Sequence, residues 1–320
     1  MSTLETGAGT VNKEAVGTPS RTYRNTNRPW RSKESGGFNK PTLAGLVVRY
    51  ILLVAMFFVS VGPFLWQLST SFKGPKDPIY QFPPSLLPSD FTLHNYVEVA
   101  NTVPILGYAW HSLIVAVSLA LANVVFSTIA GYALGCLQFK GKKIALGILF
   151  STLLLPGEVT LMSQFLTIKS LGLADSLAGV VLPGLIGAVN VLLMMAACRS
   201  IPPALLDAAV IDGANTWQII TRVVWPNVRG MASVVAIFAF IGGWDDFLWP
   251  LLVLSDPDKY TLTVGMQYLN SNFGSNPRVI AAGTMIALVP IILFFAVFQR
   301  FFFKGVEDGA VTVSYTHLTL

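Results

Sequence analysis

Six stretches of this chain are long and apolar enough to cross a bilayer, which limits the fold more than any other feature. A helix needs about 20 mainly apolar residues to span the hydrocarbon core. The stretches run from about Ala44 to Leu68, Ser112 to Leu137, Ile144 to Ile168, Ser176 to Cys198, Gly230 to Leu254 and Val279 to Phe303. Lipid offers no partners to backbone N–H and C=O groups, so segments of this length are predicted to be helices. Only 12% of the 320 residues are charged, about half the fraction of a soluble domain. The expected fold is an all-α polytopic membrane protein with six transmembrane helices.

Charge placement predicts the orientation. Lys140, Lys142 and Lys143 lie between the second and third spans, Arg199, Arg222 and Arg229 between the fourth and fifth, and Arg300 and Lys304 at the end of the sixth. Basic residues in short loops mark the cytoplasmic side, so both termini are expected there. Residues 1–42 are rich in Ser, Thr, Gly and Asn, and carry Arg21, Arg24, Arg28, Arg31, Lys33 and Lys40. This composition predicts a disordered basic cytoplasmic tail rather than a cleaved signal peptide. The outer loop from Thr70 to Trp110, rich in proline, is expected to be extended, and Ser255 to Arg278 to be a second outer loop. After a 43–304 membrane domain, 305–320 reads as a short cytoplasmic tail. Within it Ser314 to Leu320 reads as non-native adapter sequence.

One stretch between spans is hydrophilic: Leu206 to Gly230, LDAAVIDGANTWQIITRVVWPNVRG. It predicts two short helices joined at a glycine. Pro202-Pro203 suits the first turn of one helix. Asp212-Gly213 ends it, because glycine accepts the left-handed geometry of a helix end. Asn215 or Thr216 caps the second, on which Trp217, Ile220 and Val224 share a face. Pro226, with no amide proton, is expected to stop that helix.

The run Asp207-Ala208-Ala209-x-x-Asp212-Gly213-Ala214, with Pro226 downstream, resembles the cytoplasmic signature loop of ABC importer permeases. That family usually has Glu in place of Asp207. The likeness extends over roughly Leu43 to Lys304 and is nearest to the carbohydrate-importing branch, in the second permease of maltose-like systems. LGLADSLAGVVLPG and GGWDDFLWPLLVL match that branch in character. The resemblance implies a coupling loop that docks cytosolic ATP-binding cassette subunits through Asp207, Ala208, Ala209, Asp212, Gly213, Ala214 and Pro226. It also implies a second permease subunit, an extracytoplasmic solute-binding protein and a place in a bacterial cytoplasmic membrane.

Polar groups inside spans are the candidates for a substrate pathway, because they are expensive there and need a partner or a cavity. Leu155-Pro156-Gly157-Glu158 predicts a kink in the third span, with Glu158 at membrane depth. Trp244, Asp245, Asp246, Phe247 and Trp249 crowd carboxylates and aromatics into the fifth span, and Pro250 frees the carbonyl of Asp246. Rings cover the C–H faces of sugars and carboxylates accept from hydroxyls, so this segment suits a saccharide. An interfacial aromatic belt with a structural acid pair fits the same residues. The resembled family usually has Asn at Asp245. Asn190, in the fourth span, is a weaker candidate.

No phosphate-binding loop, zinc-binding His pair or nucleophile elbow is present, and Cys136, Cys198 and the three histidines have no metal-ligand spacing. No cofactor or metal is expected, and ATP hydrolysis would lie in partner subunits. The expected function is a permease subunit of an ATP-driven sugar importer. An importer permease for another small solute and an ATPase-independent secondary carrier remain the alternatives.

Overall fold

The computed structural model describes residues 43–81, 85–273 and 276–314; the basic tail 1–42 and the last residues, 315–320, lie outside them. The described chain is helical, with an isolated bridge between Lys73 and Phe91. Its long helices are α1 (Leu43–Ser71), α3 (Ile105–Gly135), α10 (Trp225–Asp245) and α13 (Pro277–Ser314). Between them lie α2 (His94–Thr102), α4 (Lys142–Leu154), α5 (Leu161–Ser170), α6 (Leu177–Val181), α7 (Ala188–Arg199), α8 (Pro203–Ile211), α9 (Thr216–Gln218), α11 (Leu248–Val253) and α12 (Leu262–Phe273). Four unbroken helical stretches are long and apolar enough to cross a membrane, or up to six if each of two bent pairs is one span. The molecule is a polytopic helical membrane protein.

The chain divides into two units at Phe58–Val59. In the first, α1 exposes Val47, Ile51, Leu52 and Val54, as a helix surrounded by lipid does.

In the second unit α3 is the central element, with α7 and α10 packed along it. Gly131 and Gly135 lie one turn apart on α3. A Cβ on Gly131 would sit 2.8 Å from the Met194 carbonyl carbon, and one on Gly135 would sit 2.9 Å from Cys198 Cβ. Small residues at i and i+4 let membrane helices approach closely, and here they seat α7 on α3. One core cluster, around Tyr132, Met194, Ile220, Val224 and Val228, joins α3, α7 and α10 to the residues after α8. Another, around Tyr108, Phe240, Trp244, Leu262 and Val279, joins α3, α10, α12 and α13. Phe240 of α10 stacks on Phe294 of α13 with ring centroids 3.7 Å apart.

Several boundaries differ from the sequence expectations. The third span is a turn between two helices rather than a kinked rod: α4 and the segment Gly157–Ser170 meet at 101°. Leu155 (ψ 125°) and Pro156 (ψ 134°) are both extended. The residue before a proline is driven out of the helical region, and two extended residues in succession redirect the chain. The fourth span is also broken, by 46°, between Leu177–Gly184 and Ala188–Arg199.

Pro226 does not stop its helix. Thr216 to Asp245 is one continuous helical stretch of 30 residues, because Ile219–Val224 form a π-helical turn. Trp225 N–H reaches back to Ile220 O. This wider turn relieves the clash between the proline ring and the carbonyl one turn earlier. The π turn also shifts the register, so Ile220 and Val224 are buried while Trp217 faces outward.

Both supposed outer loops contain helices, α2 in the first and α12 in the second. The first is also locked by buried polar groups. Asn95 Nδ2 donates to Ser71 O and Lys73 O, the buried Asp77 carboxylate accepts from Ser89 Oγ and from Asp90 N at 2.9 Å, and Lys73 Nζ donates to Ser85 O at 2.7 Å.

Candidate functional site

Two places combine exposure with defined geometry. The first is the α8–α9 elbow. Gly213 has φ +75°. Its N–H donates to Val210 O at 3.0 Å, and Ala214 N–H donates to Ala209 O at 3.0 Å. These two bonds define a Schellman ending, which needs a residue in the left-handed region at the position of Gly213. Two residues on, Asn215 starts the next helix with a capping box. Asn215 Oδ1 accepts from Gln218 N at 2.9 Å, and Gln218 Oε1 accepts from Asn215 N at 2.8 Å. Both ends of the elbow are therefore satisfied within the elbow itself.

The elbow is anchored on one side only. Leu206, Ala209 and Ala214 pack against the cluster of Tyr132, Met194 and Ile220. Asp207, Ala208, Asp212 and Gly213 are exposed, as are Val210, Ile211 at 85% and Trp217 at 62%. A groove of about 380 Å³ runs between α8 and the ends of α3 and α7, lined by Tyr132, Cys136, Arg199, Leu206, Asp207 and Val210 among others. Through its turn at residues 212–215 the elbow joins α8 to the continuous helical stretch Thr216–Asp245. Pro226 is exposed in the first turn of α10.

The second place is a cavity of about 510 Å³ between the end of α10, α12 and α13. Trp244, Asp245 and Phe247 line it. Opposite stand Thr263, Met266, Gln267 and Asn270 from α12, with Ile280, Thr284, Leu288 and Ile291 from α13. The wall thus combines aromatic and aliphatic faces with two hydroxyls, two amides and a carboxylate.

The remaining pathway candidates go elsewhere. Asp246 is a structural residue at the break between α10 and α11. Its carbonyl, freed by Pro250, accepts from Thr263 Oγ1 at 2.6 Å, and its carboxylate makes a long contact, 3.4 Å, with Trp249 N. Trp249 is buried, and its indole N–H donates to Val180 O at 3.1 Å. Asn190 is buried against Asn123, to which it donates at 2.8 Å. Glu158 is exposed in the 3₁₀ turn Gly157–Thr160, outside the cavity wall.

The polar residues of α12 escaped the sequence reading because the segment looked like a loop. Thr263, Met266, Gln267 and Asn270 follow an i, i+3, i+4, i+7 spacing, the signal of one helix face.

Among the described residues there is no group of His, Cys, Asp or Glu able to hold a metal ion. Broken membrane helices, a cavity between α10, α12 and α13 and an exposed elbow joined to a spanning helix fit a membrane transport subunit. The family described as "Binding-protein-dependent transport system inner membrane component" matches residues 88–308. The chain belongs to that family of multi-pass inner-membrane permease components.

Among its relatives is the arabinooligosaccharides transport system permease protein AraQ of Halalkalibacterium halodurans. It is 29% identical over 275 residues, covering 85% of this chain and 97% of the relative. The sn-glycerol-3-phosphate transport system permease protein UgpE of Brucella abortus is 28% identical over 275 residues, covering 83% and 97%. A solved bacterial ABC transporter involved in importing the acidic polysaccharide alginate shares the fold. Its TM-score is 0.73 at 20% identity, covering 83% of this chain and 99% of that one.

Proposed function

We propose that this chain is one of two permease subunits of an ATP-driven importer for a saccharide, with residues 43–304 as its membrane domain. The single observation that carries the reading is the one-sided elbow. Ala208, Val210 and Ile211 on α8, and Trp217 on the helical stretch that runs into α10, present apolar surface to solvent. A helix of this kind fits a hydrophobic groove on a partner. The partner is a cytosolic ATPase subunit, and Asp207 and Asp212 supply charge contacts beside the apolar patch. ATPase closure moves the elbow, and α10 carries the motion to the cavity at its far end, a shift of packed elements between two states.

Six spans follow if each bent pair crosses once. The basic loops then place both termini in the cytoplasm. The cavity holds the saccharide: Phe247 covers a C–H face, the buried Trp244 backs the wall, and Asp245, Gln267 and Asn270 bond its hydroxyls. The carbohydrate assignment draws support from this chemistry and from similarity to the arabinooligosaccharide permease. A soluble binding protein delivers the saccharide.

The test is Ile211→Glu. The site is exposed, so stability changes by less than about 0.5 kcal/mol, while co-purification of the ATPase and solute uptake are both lost. Retention of a stoichiometric ATPase by this variant removes the elbow assignment.

A further inference from the structure

The wall of the α10–α12–α13 cavity has an uneven charge. Among the described residues its lining includes one carboxylate, Asp245, and no lysine, arginine or histidine. Asp245 is exposed to the cavity. The other acid of the pair, Asp246, is turned away into the α10–α11 break. The basic residues on the neighbouring segments lie outside the lining. Lys259, just before α12, donates to Asp175 at 2.7 Å, and Arg278, at the start of α13, donates from Nη2 to Asp77 O at 2.6 Å. The other polar groups of the wall, Thr263, Gln267, Asn270 and Thr284, are neutral.

We infer that Asp245 makes this cavity charge-selective, admitting neutral or cationic saccharides and excluding anionic ones such as uronates and sugar phosphates. This deepens the carbohydrate reading and rests on it for the nature of the solute. A carboxylate whose cavity lining holds no cationic residue acts over several ångströms on a solute inside the cavity. An anion entering here meets repulsion and finds no cationic donor to replace its hydration. A neutral hydroxyl donates to Asp245, and an amino sugar forms an ion pair with it. The amides of Gln267 and Asn270 serve either solute as donors and acceptors.

The test uses the assembled transporter carrying Asn270→Cys, with the unsubstituted protein as the background for Cys136 and Cys198. Rates of modification by cationic and anionic methanethiosulfonate reagents are compared, each normalised to its rate on a free thiol. The cationic reagent is expected to react about tenfold faster, and adding Asp245→Asn lowers that ratio about fivefold. A ratio near one, or a ratio that Asp245→Asn leaves unchanged, overturns charge selection and leaves the carbohydrate reading intact.

In a second arm the same cysteine is modified by a neutral reagent in the presence of cellobiose, di-glucosamine or di-galacturonate. Protection by either of the first two and not by the third supports the inference. Equal protection by di-galacturonate overturns it. Protection by none of them, with the charge ratio intact, removes the carbohydrate reading while supporting charge selection.

Discussion

Asn190 of α7 donates from Nδ2 to Asn123 Oδ1 of α3 at 2.8 Å, and both residues are buried. The same Asn123 oxygen accepts from Gly187 N at 2.8 Å, while Asn123 Nδ2 donates to Gly184 O at 2.8 Å and Leu119 O at 3.0 Å. One amide thus satisfies the backbone groups released where the fourth span breaks. Asn123→Ala leaves several of them unpaired and is expected to cost about 2–3 kcal/mol. Asn190→Ala removes one donor and is expected to cost about 1 kcal/mol. Thermal unfolding of the purified protein in detergent checks the order; a reversed order means that Asn123 is not the hub.

Gly131 and Gly135 set the distance between α3 and α7. Gly131→Val pushes a side chain into Met194 backbone and side-chain atoms already 2.8 Å from an ideal Cβ, and overpacking of this kind costs about 1–3 kcal/mol. Gly147→Val on α4 is the control, since nothing lies within 4 Å of its Cβ. The same melting assay should show a loss for the first variant and little change for the second. Equal melting temperatures would show that the close helix approach contributes nothing.

Gly213 separates geometry from packing. A Cβ there meets nothing within 4 Å, so Gly213→Ala carries only the cost of a left-handed backbone, about 1–2 kcal/mol. That variant should insert normally and retain part of its transport. Gly213→Pro removes the N–H that bonds Val210 O and fixes φ near −65°, far from the observed +75°. It should reach the membrane in normal amount yet show no uptake. Full uptake by the proline variant would mean that the elbow does not couple.

Asp175 joins the loop after α5 to the residues after α11. It accepts from Lys259 Nζ at 2.7 Å, Ser255 N at 2.9 Å and Asp256 N at 3.0 Å. It does so with a φ of +55°, a conformation that Asp tolerates better than most residues. The Lys259 hydrogen bond, followed by the Asp256 and Ser255 amides, lowers the Asp175 pKa from 3.8 to about 2. The Asp175 hydrogen bond raises that of Lys259 above 10.5. A lowered acid stabilises above its unfolded pKa and loses that contribution as pH falls through the folded one. A raised base stabilises below its unfolded pKa and loses it as pH rises through the folded one. The clamp therefore holds from about pH 4 to beyond the ordinary lysine range. The melting difference between the natural protein and Asp175→Asn should be flat from pH 5 to 9 and shrink only below about pH 4. A slope near neutral pH would assign the clamp to other groups.

By itself the sequence determined what local forces control. Apolar runs of bilayer length dictated helices, because lipid leaves the backbone no other partners. Asp212-Gly213 and Asn215 dictated the elbow, because caps and left-handed turns are settled within a few residues. Pro156 marked where the third span breaks.

Only the tertiary structure decided which polar side chains share a space. Asp245 and Asp246 are adjacent in the chain, yet one lines the cavity and the other fastens the α10–α11 break. Trp249 and Asn190 are directed to Val180 and Asn123 rather than to the cavity. The cavity's far wall came from α12, a segment with the composition of a loop. Caps and breaks depend on neighbours in sequence. Partners for buried amides, carboxylates and indoles depend on packing between helices far apart along the chain, where sequence periodicity carries no distance information.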